Sequence, residues 1–262
     1  MRFPRVIRRG AAALLGHARL RVRSGPNRGR WWSVASAGRG ALAGTFEQQR
    51  VSALLGLLCP GDVVWDIGAH KGYVALAMAR RVGDDGSVRA FEPSPENLQY
   101  LRRHMQWNGV RNVCIDPVAL SDSEGEARFG GRGSSITFRL GGGDELVSVS
   151  TVATRLRQGV TPPTVLKLDV EAGEAGVLRG AGDALASVGL VFVAVHTREL
   201  YEECRLLLER HGFRVYRSAA MRSMMQRLPD GWSTDPDLLA IAPHRIVGQS
   251  DLQQFSGVKG TA

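Results

Sequence analysis

Two apolar rhythms alternate along residues 45–245. Val51, Leu54, Leu55 and Leu58 recur at helical spacing, and Pro60-Gly61 closes that helix. Asp62-Val-Val-Trp-Asp66 reads as a strand, followed by a glycine loop and a helix over residues 73–82. Ser87–Phe91 predicts a second strand. Ser94 is placed to cap the next helix, with Pro95 at its first position and Gly109 past its end. Asn112–Asp116 predicts a third strand. Val165–Asp169 and Leu190–Val195 are near-continuous apolar runs, as strands covered on both faces require. Glu199–His211 predicts a helix stopped by Gly212, and strands at Phe213–Tyr216 and Leu238–Ala242 complete the set.

Strands alternating with helices predict an α/β fold: Rossmann-like, doubly wound, with a mostly parallel seven-stranded sheet. Residues 117–163 break the rhythm. Glycines within 130–133 and 141–143 separate short β-prone runs at Ile136–Arg139 and Leu146–Val149, which predicts a small antiparallel insertion. Residues 246–262 have no periodicity and read as a loose C-terminal tail. The organisation expected is a basic extension over 1–44, one domain over 45–245, and that tail.

Charge changes the picture at one end only. Residues 1–50 hold eleven arginines and a single acid, Glu47, for a net +10. The whole chain of 262 residues carries +9, so the remainder is close to neutral at −1. A solvated or substrate-capping arm is the expected reading. Contact of residues 1–30 with an anionic membrane surface or with nucleic acid stands beside it. Trp31-Trp32 is expected to end the arm by packing on the domain. Arg8-Arg9 and the short apolar run after it do not make a signal peptide, because His17-Ala-Arg-Leu-Arg follows where small residues are needed. The longest apolar stretch, Val188–Val195, is far short of the roughly 20 residues that cross a bilayer. Cys59, Cys114 and Cys204 are scattered, which excludes a disulfide framework or cysteine-rich zinc site and fits a reducing, cytoplasmic setting. Cys114 falls within a strand and is expected as a buried, inert thiol.

The chemistry should lie beyond the carboxyl ends of the strands. There the chain reads Asp66-Ile-Gly68-Ala-His-Lys-Gly72, with Glu92 twenty residues past Gly72 at the tip of the second strand. Glycines allow a tight turn and close approach of a ligand, and a carboxylate at that tip can accept both hydroxyls of a ribose. The leading acid suits a cofactor that carries an ammonium group and repels a pyrophosphate. S-adenosylmethionine has that ammonium and NAD does not.

Gly44-Thr-Phe-Glu47, residues 60–73, Ala90-Phe-Glu-Pro-Ser-Pro-Glu-Asn97, Val118-Ala-Leu-Ser-Asp122 and Lys167-Leu-Asp-Val-Glu171 with residues 174–181 together resemble the FkbM family. These are class I, S-adenosylmethionine-dependent methyltransferases that mostly O-methylate secondary metabolites and glycans. The resemblance covers about residues 44–215. It implies that Asp66, Gly68 and Gly72 line the methionine end, that Glu92 holds the ribose, and that Ala119 and Leu120 flank the adenine. Ala69, Pro93 and Asp169 complete the expected cofactor-binding set. Two positions depart from the family pattern. Ala172-Gly173 stands where Gly followed by Ala or His is usual, and Ala194-Val-His196 lacks the usual Glu at its first place.

An alcohol nucleophile benefits from a general base. His196 is the candidate, with Asp169 or Glu171 orienting it or contacting the acceptor, in metal-free chemistry. Glu171 as a cap of the helix near Glu174 is the structural alternative, and Lys167 is given no role. His70 belongs to the cofactor loop, His104 and His211 read as surface residues on helices, and His17 and His244 flank the domain. The partner expected is a small-molecule or glycan hydroxyl acceptor. It would be met by the 123–163 insertion and by residues 217–235, where Met221, Met224, Met225 and Trp232 lie. The rival readings are an RNA hydroxyl methyltransferase using the basic arm, a non-catalytic relative that binds the cofactor, and, more distantly, a dehydrogenase.

Overall fold

The computed structural model describes residues 18–38, 40–130, 139–141, 143–195, 197–218, 237–248, 252 and 255–257. The chain enters through an antiparallel hairpin, β1 (Arg19–Arg21) and β2 (Trp31–Ser33). It then alternates through α1 (Gln48–Leu57), β3 (Val63–Ile67), α2 (Tyr73–Val82), β4 (Ser87–Phe91), α3 (Pro95–Trp107) and β5 (Val113–Asp116). A second, four-stranded sheet is formed by β6 (Ala119–Leu120), β7 (Gly125–Gly130), β8 (Arg139–Leu140) and β9 (Glu145–Ser150). Helix α4 (Val152–Arg157) leads back to β10 (Val165–Leu168), α5 (Glu174–Ala181), β11 (Leu190–Val193), α6 (Arg198–Arg210), β12 (Arg214–Ser218) and β13 (Leu238–Ile241). A short β14 (Phe255–Gly257) follows.

The main sheet has the order β14-β12-β13-β11-β10-β3-β4-β5. Neighbours from β11 to β5 pair in parallel, and β13 runs antiparallel to both of its neighbours. This is the expected doubly wound α/β fold. After β5 the chain returns to the other side of β3, so the order reverses between β3 and β10 and opens a crevice there. Every residue of β10 and β11 is buried, the physical counterpart of their apolar runs. No helix among the described residues is long and apolar enough to cross a membrane.

Four local expectations are corrected. Phe255–Gly257, read as loose tail, adds an eighth strand at the edge by pairing with β12; three residues are too few to show a period. The insertion is not wholly antiparallel, because β6 pairs in parallel with β9. Helix α4 was not foreseen; Thr151 caps it by accepting from the Thr154 amide. Cys114 is exposed rather than buried, because β5 is the edge of the sheet.

The basic extension is not a free arm from residue 18 onward. Trp32 is buried and stacks on His104 at 3.6 Å between ring centres, with Tyr73 edge-on at 5.4 Å. His104, expected on the surface, is wholly buried because the hairpin covers its face of α3. The Ser33 amide can only donate, so Nε2 accepts from it at 3.1 Å, and Nδ1–H donates to the Lys71 carbonyl at 2.7 Å. One neutral imidazole thus ties the hairpin to the loop between β3 and α2.

Burial holds the His104 pKa down at about 4, against about 6.5 when unfolded. The neutral form is the one that folds, so its stabilisation is complete above about pH 6.5 and drains away as the pH falls toward 4. Urea unfolding of the wild type should lose about 3 kcal/mol over that window from this residue alone. A His104→Gln variant should be less stable at pH 7.5 and lose less on acidification. Equal acid sensitivity in the two proteins would remove His104 as the cause.

Candidate active site

At the reversal between β3 and β10 lies a cavity of about 490 Å³. Its floor is built from the tips of neighbouring strands, and their order in the sheet sets the order of chemical groups. From one side these are Asp169 after β10, Gly68 after β3, Glu92 after β4, and Val118–Leu120 after β5. Phe46, Glu47 and Arg50, at the start of α1, close one side. Phe129, Leu140 and Gly141 reach it from the second sheet.

Gly68 has φ +82°, and a Cβ there would fall 1.9 Å from the Asp169 carbonyl. Only glycine lets the loops after β3 and β10 meet backbone to backbone. The next turn raises His70 to φ +51° and aims its amide at Glu92 Oε2, 2.7 Å away. Oε1 of Glu92 accepts from the Ser94 amide at 2.9 Å and from Asn97 Nδ2 at 3.2 Å. Burial pushes the Glu92 pKa up, and these donors pull against it. The carboxylate is thereby fixed at the cavity wall. His70 also lines the cavity, and burial lowers its pKa to about 4, so its imidazole is neutral at pH 7.

Beneath the floor is a buried charge network. Lys167 Nζ lies 2.9 Å from Asp66 Oδ1 and 3.7 Å from Asp169 Oδ2, and donates to the Gly68 carbonyl at 3.1 Å. Burial raises the Asp66 pKa, with the Lys167 charge opposing it. Burial depresses the Lys167 ammonium, yet the two carboxylates outweigh that and leave its pKa above the ordinary value. Arg50 grips Asp237 through Nε and Nη2 at 2.6–3.0 Å, bonds Glu47 at 3.1 Å, and stands 3.8 Å from Asp169.

Of the residues expected from the sequence, Gly68, Ala69, Glu92, Pro93, Ala119, Leu120, Asp169 and Glu171 line one cavity. Asp66 and Gly72 do not. Asp66 is wholly buried against Lys167, and it is Lys167 that reaches the wall. Gly72 faces α3, where a Cβ would strike Leu101 at 2.4 Å. Glu171 does not cap α5: Gly173 is its N-cap, and the buried Glu174 accepts from the Val170 amide at 2.9 Å instead. Ala172, standing where the family has glycine, keeps a left-handed φ of +76° and so carries strain a glycine would avoid. His196, Met221, Met224, Met225 and Trp232 lie outside the described residues. Lys167 and Arg50, with Asp237 holding Arg50, were missed as parts of the site, whereas His70 lines the cavity from the loop expected to meet the cofactor. Only the Phe46-Glu47 motif hinted that the start of α1 belongs to the site.

The donor set fits S-adenosylmethionine. A carboxylate, a glycine backbone, a second carboxylate and an apolar wall follow one another across four strand tips, the kinds of group that an amino group, a methionine chain, ribose hydroxyls and an adenine call for. A model of the methyltransferase FkbM domain matches residues 66–215. The hexuronic acid methyltransferase AglP of Haloferax volcanii is 31% identical over 162 residues, covering 57% of this chain and 62% of that protein. The chain therefore spans less than two thirds of that relative's length. The 31-O-demethyl-FK506 methyltransferase FkbM of Streptomyces tacrolimicus is 30% identical over 199 residues, 60% of this chain and 75% of that protein. A crystal structure of precorrin-6y C5,15-methyltransferase from Geobacter metallireducens aligns over 79% of this chain and 93% of its own, at 15% identity and a TM-score of 0.48. With more than half of its length matched, the chain belongs to the FkbM methyltransferase-domain family and has the fold and cofactor cavity of an S-adenosylmethionine-dependent methyltransferase.

Proposed function

We propose that the protein O-methylates a hydroxyl group of a small molecule or glycan. The reading is supported by the order of groups across the strand tips, which follows the order of groups along S-adenosylmethionine, with the carboxylates of Asp169 and Glu171 together at one end of the cavity. The relatives' names support the acceptor class, one acting on a hexuronic acid and the other on 31-O-demethyl-FK506. The cofactor supplies a sulfonium-activated methyl group, so the protein's work is alignment, exclusion of water and removal of one proton.

In this proposal Glu92 accepts the ribose hydroxyls, Gly68 and Ala69 pass beneath the cofactor, and Ala119 and Leu120 cover the adenine. Asp169 faces the ammonium. His196, which follows β11 in sequence, takes the acceptor's proton, and Glu171 or Asp169 orients it or holds the acceptor. Phe129 and Leu140 of the second sheet contact the acceptor's apolar parts.

The test is transfer of labelled methyl to a panel of hydroxylated acceptors that includes uronic-acid glycans and polyketides. His196→Ala should cut turnover by ~10²–10⁴-fold while leaving S-adenosylhomocysteine affinity unchanged. An unchanged rate removes His196 from the mechanism. Transfer to amines or carboxylates but to no hydroxyl overturns the acceptor class.

A further inference from the structure

Several arginines elsewhere in the fold are paired with acids. Arg50 holds Asp237, Arg89 and Arg155 share Asp116, and Arg245 holds Asp62. The hairpin is different. No carboxylate among the described residues pairs with Arg19, Arg21, Arg23, Arg28 or Arg30, and no acid precedes Glu47 in the sequence. Nor is there a lysine before Lys71, so every cation here is a guanidinium.

Two of these arginines, Arg19 and Arg21, lie on aromatic rings instead. The guanidinium carbons of Arg19 and Arg21 lie 4.6 and 4.2 Å from the centre of Trp31. Arg19 also lies 5.5 Å, and Arg103 of α3 5.7 Å, from Trp107. Asn108 locks the two elements together, accepting from the Trp31 amide at 2.8 Å and donating to its carbonyl at 2.9 Å. A guanidinium whose face rests on indole still has its N–H edge to offer, of which Arg21 gives Nη1 to the Gly29 carbonyl. That edge matches the paired oxygens of a phosphate, and arginine is less strongly hydrated than lysine.

We propose that the face formed by β1, β2 and the end of α3 docks on an anionic phospholipid surface. Two observations favour lipid over nucleic acid. The Trp31 and Trp107 rings are already engaged by guanidinium groups, which withholds the stacking platforms that single-stranded nucleic acid uses. Upstream, Arg2, Arg5, Arg8 and Arg9 are interspersed with Phe3, Val6, Ile7, Leu14 and Leu15 and with no acid. Apolar side chains among arginines add partition into a lipid interface and add nothing to contact with a phosphodiester backbone. Tryptophan and arginine are both at home at that interface.

The experiment is co-sedimentation of the full-length protein with phosphatidylcholine vesicles, with and without phosphatidylglycerol. The protein should pellet with the anionic vesicles only, and less as salt is added. Arg19→Glu/Arg21→Glu should weaken binding at least ~10-fold, since each cation near such a surface contributes about fivefold. A thermal shift with S-adenosylhomocysteine confirms that the variant is folded; if it is not, Arg19→Gln/Arg21→Gln, which removes the charges alone, replaces it. Failure to bind anionic vesicles, or equal binding by the folded variant, overturns the proposal. So does tighter binding to a single-stranded RNA that depends on the same two arginines.

Discussion

Lys167→Met should lower the unfolding free energy by about 3–5 kcal/mol, the usual cost of removing one partner from a buried ion pair. Asp66 has no exposed surface, and the Lys167 ammonium 2.9 Å away is the cation that balances it. Without it the carboxylate must be buried as a bare charge or take up a proton. The double variant Asp66→Asn/Lys167→Met should recover much of the loss, because a neutral amide is far less costly to bury. Guanidinium unfolding curves of the three proteins measure both effects. Asp169 is only 3.7 Å from the same ammonium, so the single variant should also bind S-adenosylhomocysteine more weakly. If Lys167→Met unfolds at the wild-type midpoint, the pair carries no net stability.

Glu92→Ala should abolish the rise in melting temperature that S-adenosylhomocysteine gives the wild type. Two charge-assisted hydrogen bonds from ribose hydroxyls would go, about 3 kcal/mol or a 100-fold loss of affinity. The substitution also frees the His70 and Ser94 amides and Asn97 Nδ2, so the loop after β3 loses its template. Glu92→Gln, which keeps an acceptor oxygen, should fall between the two. Calorimetric titration is the decisive readout. An alanine variant within about threefold of wild-type affinity would falsify the role of Glu92 as the ribose carboxylate.

The central strands were legible because burial on both faces writes itself as apolar runs; β4 and α2 fall on the expected residues. The glycine loop and Glu92 were legible for a related reason, since their spacing reflects the geometry of one strand–turn–helix unit. Asp66 was read as facing the ligand, yet the register of β3 and β10 sets Lys167 directly opposite it, on the same face of the sheet. Arg50 and Asp237 are another matter. They are 187 residues apart in sequence, and no local pattern links them. His104 was misread because helical periodicity marks which face is apolar. It cannot say that a hairpin arriving from another part of the chain will cover a polar ring.

That hairpin bears on where the molecule can be cut. The family match begins at residue 66, and the rhythm of strands and helices begins near 45. Both boundaries leave out Trp32, whose ring roofs His104 and Tyr73. A fragment started at either point would open an aromatic floor to water and strand a buried imidazole without its amide donor from Ser33. The unit recognised by comparison is therefore smaller than the unit that folds. Transplanting this domain into another protein means carrying the hairpin along with it.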